Sequence, residues 1–233
     1  MPLDVEFDLS DYEALAKDVE GAERQLPFLI SYSLNKAMQD ARSEERTVMV
    51  SVFDRPTPWT LNSMQITPST KRDLSATLDF KAGVSTYLNP EVQGGARPLK
   101  RSEIAFGSRY MVPTKFAPVD QYGNVQRGFL RQVMSQLGTA ELMSGFNANM
   151  STRSRKGAVK RAGGQFFIRG HVIYKRNGHK TVPMFVFTRP PSYRPRYPFF
   201  DAGRKVIHDR FEVHFKSAWD RYVVLGRGRK GFW

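Results

Sequence analysis

One discontinuity constrains this chain more than any other feature. A helical pattern runs through the first fifty-odd residues and then meets Asp54-Arg55-Pro56-Thr57-Pro58. Upstream, Ile30, Leu34, Ala37, Met38 and Ala41 recur at three- and four-residue spacing, with Lys36, Gln39, Asp40 and Arg42 on the other side. Pro27 suits the first turn of such a helix, where its missing N–H costs nothing. The pattern predicts a helix over about 25–46 that can run on to Val52. Each proline pushes the residue before it towards extended backbone, so the helix has to stop there.

Beyond the break the period changes. Leu74, Ala76, Leu78 and Phe80 alternate with polar residues, the pattern of a half-buried strand. Residues 104–112 read as a further strand or an irregular segment. A helix capped by Asn124 is expected to place Phe129, Leu130, Val133, Met134 and Leu137 on one face. Gln165–Tyr174 and Lys180–Thr188 are β-rich runs around Arg176-Asn177-Gly178-His179, and Asn-Gly between such runs predicts a hairpin. A last amphipathic helix, starting at Asp201 or Ala202, carries Val206, Ile207, Phe211, Phe215, Ala218, Trp219 and Tyr222. At the other end, Ser10 and Glu13 stand at the spacing of a capping box, ahead of a short helix with Tyr12, Leu15, Ala16 and Val19 on one stripe.

Together these readings give an α+β fold: long N-terminal helices, a central antiparallel β-sheet with a hairpin in the C-terminal half, and a closing amphipathic helix. The expected organisation is an N-terminal helical region at 1–55, an α+β body at 56–225 and a basic tail at 226–233. The body includes a loop at about 147–164 with five bases and no acids, which is expected to be mobile.

Charge is divided unevenly along the chain. Residues 1–24 carry eight acids and two bases, whereas residues 151–233 carry four acids and twenty bases, within a total of +14. An acidic start and a basic end suit either a nucleic-acid-facing C-terminal region or pairing with a further copy or an acidic partner. Arg153, Arg155, Lys156, Lys160, Arg161, Arg227, Arg229 and Lys230 are the candidate partner- or DNA-facing cations. They could neutralise phosphates without reading sequence, and no helix-turn-helix, zinc-finger or RNP pattern accompanies them.

Little in the sequence offers chemistry. Absence of cysteine removes disulfides, thiolate metal sites and a cysteine nucleophile. His208 and His214 lie six apart on a helical pattern and face different ways, and no HExxH accompanies the four histidines. No GxSxG elbow or phosphate loop follows a strand. Asp120 beside Tyr122-Gly123-Asn124 reads as an Asx-type turn. No enzyme, metal or cofactor is expected. No apolar run is long enough to span a membrane, and the acidic N-terminus lacks the basic and apolar regions of a signal peptide, so an unexported protein made in the cytoplasm is expected.

The segment Thr188–Phe200, TRPPSYRPRYPFF, packs four prolines, four aromatics and three arginines between the hairpin and the last helix. That position makes it a poor free polyproline ligand. It reads as a stiff strut that anchors the closing helix through Phe199-Phe200 and displays Arg189, Tyr193, Arg194 and Arg196, the subunit-interface candidates.

Several stretches carry a family resemblance. Leu34-Asn35-Lys36-Ala37 is similar to the alanine/asparagine-rich helix of the tail completion proteins of tailed bacteriophages, the minor tail protein Z group. The layout of helix, proline-rich break, β-rich middle and Phe-rich closing helix resembles that group. FDRPTPWTLNSM (53–64), YLNPEVQGGARPLKRSE (87–103), VDQYGNVQRGFLRQVMSQL (119–137) and TRPPSYRPRYPFF resemble stretches of an uncharacterised family of prophage virion proteins. The resemblance implies a structural protein of the neck or upper tail that assembles as a ring and joins head to tail. Its implied partners are further copies of itself, neighbouring tail, terminator or connector proteins, and the DNA leaving through the channel. The alternative from the residues alone is a non-specific DNA-binding or packaging accessory protein.

Overall fold

The computed structural model describes residues 3, 5, 7–17, 22–139, 157, 159–160 and 163–225. Most of the basic loop expected at 147–164 and all of the tail at 226–233 lie outside them. The chain forms an α+β fold with antiparallel sheets, as its periodicities require. It divides into two compact units, one built from residues 1–92 and 195–233 and the other from 93–194. Among the described residues no helix is long and apolar enough to cross a membrane.

The first unit is organised by two helices, α2 (Leu26–Val52) and α7 (Phe199–Trp219), the latter continued by a π-helical turn at Asp220–Val224. Pro27 lies in the first turn of α2, and Phe53, in extended backbone, ends it. The buried stripe of α2 includes Leu29, Ile30, Leu34, Ala37, Met38, Ala41 and Met49. It meets Phe199, Ile207, Phe211 and Phe215 of α7 in one core. Glu45 lies on the same stripe and is fully buried. Asp40 and His214 cross-link the two helices at 2.7 Å.

Around this pair sit the short helices α1 (Ser10–Lys17), α3 (Pro58–Leu61) and α4 (Ser85–Gln93) and a two-stranded sheet, β1 (Met64–Thr67) with β2 (Thr77–Phe80). The strand expected from Leu74 starts only at Thr77. Before it, Asp73 accepts from the Ser75 amide and hydroxyl, a local turn that competes with extension of the ladder. The capping box at Ser10 is replaced by another arrangement. Ser10 is already helical, and Asp8 Oδ1 accepts from its amide at 3.0 Å and its hydroxyl at 2.7 Å. Asn35 of the Leu-Asn-Lys-Ala stretch holds the fold together locally. Its side-chain amide exchanges hydrogen bonds with the Ser69 backbone and pins the β1–β2 loop to α2.

The second unit holds a four-stranded sheet in the order β3-β6-β5-β4, from Tyr110–Pro113, Lys180–Thr188, Val172–Asn177 and Gln165–Arg169. Helix α6 (Arg127–Gln136) supplies Val133 and Met134 to a core with Phe166, Ile173, Phe185 and Phe187. The expected cap Asn124 belongs instead to a turn in which Asp120 Oδ1 accepts from the amides of Tyr122 and Asn124, both at 2.9 Å, as the Asx reading requires. Residues 104–112 are split between helix α5 (Arg101–Ala105) and β3, because Glu103 turns back to accept from the Lys100 amide.

The hairpin is present, with a different turn and one more strand. Asn177 pairs with Lys180, so the two loop residues are Gly178 and His179, and only Gly178 has positive φ, at 56°. A glycine at the first loop position alone is the chemistry of a type II′ turn, so Asn177 ends the strand instead of turning it. The run 165–174 breaks at Gly170-His171, again with the glycine first (φ 59°), which makes a second hairpin, β4–β5. Pro183, which has no N–H to donate, sits in the inner strand β6 next to a bulge at Met184, where the ladder is already irregular. The bulge also explains why the consecutive residues Met184 and Phe185 are both buried.

Candidate partner interface

The interface candidates of the strut are accessible, and the strut is held by backbone bonds within each unit. The chain passes between units at 92/93 and returns at 194/195. Tyr193 exchanges two backbone hydrogen bonds with Gly95 (3.1 and 2.8 Å), both within the second unit. In the first unit, the Glu91 carbonyl accepts from the amides of Arg196 at 2.8 Å and Tyr197 at 3.0 Å. Arg196 also pairs with the Glu91 carboxylate and lies over the Phe53 ring. Arg189, Arg194 and Arg196 are exposed, and Tyr193 is half-buried. The closing helix starts at Phe199, earlier than the expected Asp201, with Pro198 before it; Phe199 is wholly buried.

Tyr197 carries the deepest anchor of this segment. Its hydroxyl donates to Glu45 Oε2 at 2.6 Å inside the α2–α7 core. The other oxygen, Oε1, faces the Gly203 backbone without a well-formed hydrogen bond. Burial pushes the Glu45 carboxyl up to about 7, against the smaller opposing effect of the Tyr197 hydrogen bond. Burial and the neighbouring carboxyl raise the Tyr197 phenol as well, so it remains a donor. Glycine lets α7 approach closely at 203: a methyl there would lie 2.8 Å from Leu3 Cδ1 and 3.1 Å from Glu45 Oε1, so these side chains would have to shift.

The second unit has its own buried carboxylate. Glu103 accepts from both ends of the Arg97 guanidinium, from the Lys100 amide at 2.7 Å and from the Met111 amide at 3.0 Å. Burial works to raise its pKa, but these donors win and hold it below the usual carboxylate range. The Arg97 guanidinium also covers the Tyr110 ring, and the Arg97 carbonyl accepts from the Tyr110 hydroxyl. This network fixes the entry to the sheet.

Against this rigid framework, Trp59 is conspicuous. It is 68% exposed although α3 is firmly held. Thr57 caps the helix by accepting from the Thr60 amide at 3.1 Å, and the Thr60 hydroxyl bonds to Tyr87 at 3.1 Å. A large ring displayed on a fixed pedestal loses little entropy on binding. A second apolar display lies at the end of α7, where Val213 and Leu225 edge a shallow depression with Lys216, Ser217, Asp220 and Arg221.

Of the candidate cations, Lys160 is exposed, and Arg153, Arg155, Lys156, Arg161, Arg227, Arg229 and Lys230 lie outside the described residues. Among the described residues no group of three or more His, Asp or Glu is arranged to hold a metal ion. Sequence reasoning missed Trp59, Glu45 and Glu103. Glu45 had a visible signal, since it falls four residues after Ala41 and four before Met49 on the apolar stripe. No local pattern marked the exposure of Trp59 or the burial of Glu103. No family model, curated protein or solved structure matches the chain.

Proposed function

We propose that this chain is a structural subunit of a tailed-phage virion, assembling as a ring at the neck or tail end and joining head to tail by shape and charge. The observation that carries the reading is Trp59, a tryptophan held out in solvent by a capped and cross-braced helix. Tryptophan and arginine are among the side chains that most often dominate protein–protein binding energy. Trp59 also belongs to the stretch FDRPTPWTLNSM, which resembles prophage virion proteins, and the strut displays Arg189, Arg194 and Arg196. Further copies of the chain and neighbouring tail, terminator or connector proteins are the proposed partners, and the virion is the proposed location. Deleting the gene from its phage is expected to give heads and tails that accumulate unjoined. Normal, infectious particles from the deletion would refute the role.

A second reading, non-specific contact with DNA, is favoured by the run 142–200, which has twelve lysines and arginines and no acid. It requires retention on duplex DNA that weakens steeply with salt.

A further inference from the structure

The four-stranded sheet has two different faces. Strand pairing places Phe166, Ile173, Phe185, Phe187 and Met111 on the face that meets α6 and the second unit's core. The opposite face carries Phe167 opposite Tyr174 opposite Pro183, and next to that row Arg169, Val172, Val186 and Val112. Phe167, Tyr174, Val172 and Val186 are half-buried but do not belong to the second unit's core, and Val112 is exposed. Phe167 and Tyr174 stack at 5.5 Å with their planes 19° apart, and the Arg176 guanidinium lies 5.0 Å over the Phe167 ring. The face is therefore apolar and cationic, with no carboxylate on any of its strands.

Its complement is in the same chain. The first 24 residues have a net charge of −6, and in α1 Asp11 and Glu13 are exposed. Among the described residues no ion pair engages Asp11, Glu13, Arg169 or Arg176. Surfaces of opposite sign on different parts of one chain favour a heterologous, head-to-tail contact, which closes into a ring when the rotation permits.

We propose that the outer sheet face, centred on Arg169, Phe167, Tyr174 and Arg176, docks the acidic N-terminal segment around Asp11 and Glu13 of a second copy of this chain. The inference rests on the ring reading above and specifies its subunit contact. Stacking on Phe167 holds the Arg176 guanidinium flat, with its N–H edge available to a carboxylate, and the valine row excludes water around the pair.

The test is a charge exchange on the full chain, read by native mass at low salt with circular dichroism as a folding control. Arg169→Glu with Arg176→Glu, and separately Asp11→Lys with Glu13→Lys, should each weaken self-association at least roughly tenfold. Combining all four substitutions, or mixing the two double variants, should restore association. If the wild-type chain associates but either folded double variant associates equally well, the sheet-face contact is wrong and the ring reading survives with another interface. If the wild-type chain is monomeric at every concentration, the self-assembly reading itself fails. If the arginine variant instead loses retention on DNA while association is unchanged, the face belongs to nucleic acid and the proposal is overturned.

Discussion

Glu45 and Tyr197, 152 residues apart in sequence, share a 2.6 Å hydrogen bond in the core of the first unit. The bond joins the middle of α2 to the residue from which the strut enters α7. It makes the register of the strut a property of the core, because a slip of one residue would remove the only donor that reaches Glu45 Oε2 among the described residues. A buried carboxyl of this kind costs stability when ionised and favours one arrangement over its neighbours.

This carboxyl gives the fold a pH dependence. Glu45 ionises near 7 in the folded chain and near 4.5 when unfolded. Between those values the folded state binds the extra proton, so its contribution is fully present below 4.5 and is lost as pH rises through 7. The shift corresponds to about 3 kcal/mol. Glu45→Gln should remove this slope and be more stable than wild type at pH 8 by up to about that amount. Urea unfolding at pH 5 and pH 8, followed by near-ultraviolet circular dichroism, measures it.

Glu103 should behave in the opposite sense. Its folded-state acidity is stronger than the ordinary value of 4.5, so its stabilisation is present above that pH and is lost as pH falls through the lower folded value. Glu103→Ala leaves Arg97 half-buried without its carboxylate and should destabilise the second unit by about 3 kcal/mol. Hydrogen exchange should report the loss in β3 and β6 and leave α2 protected.

Gly203→Ala tests the close approach of α7 to Leu3 and Glu45. Alanine would gain about 1 kcal/mol of helix propensity, but the added methyl meets Leu3 Cδ1 at 2.8 Å. Overpacking costs about 1–3 kcal/mol, so a net loss of about 1 kcal/mol is expected in thermal unfolding.

Trp59→Ala should leave stability within about 0.5 kcal/mol of wild type, because the ring is exposed and the cap of α3 is untouched. Assembly should fall at least roughly tenfold. The same substitution should remove a blue shift in tryptophan emission that accompanies association of the wild-type chain.

The sequence was most legible where burial is one-sided. The stripe Ile30, Leu34, Ala37, Met38 and Ala41 gives α2, and the prolines at 56 and 58 give its end. Two details were less visible because glycine and tertiary partners decide them. The Gly-first turn at 170 converts one expected strand into two, and Glu103 finds its donors on Arg97 and Met111, which no local spacing links to it. At the interface, composition pointed to the strut arginines, but the pedestal that displays Trp59 depends on Thr60 meeting Tyr87 across 27 residues.

Whether the chain works as a subunit of a closed assembly is tested most directly by the native mass of the purified protein. A single defined multiple of 26.6 kDa at low salt, dissociating as salt rises, is the expected result. A species that stays at 26.6 kDa at every concentration and salt would contradict it.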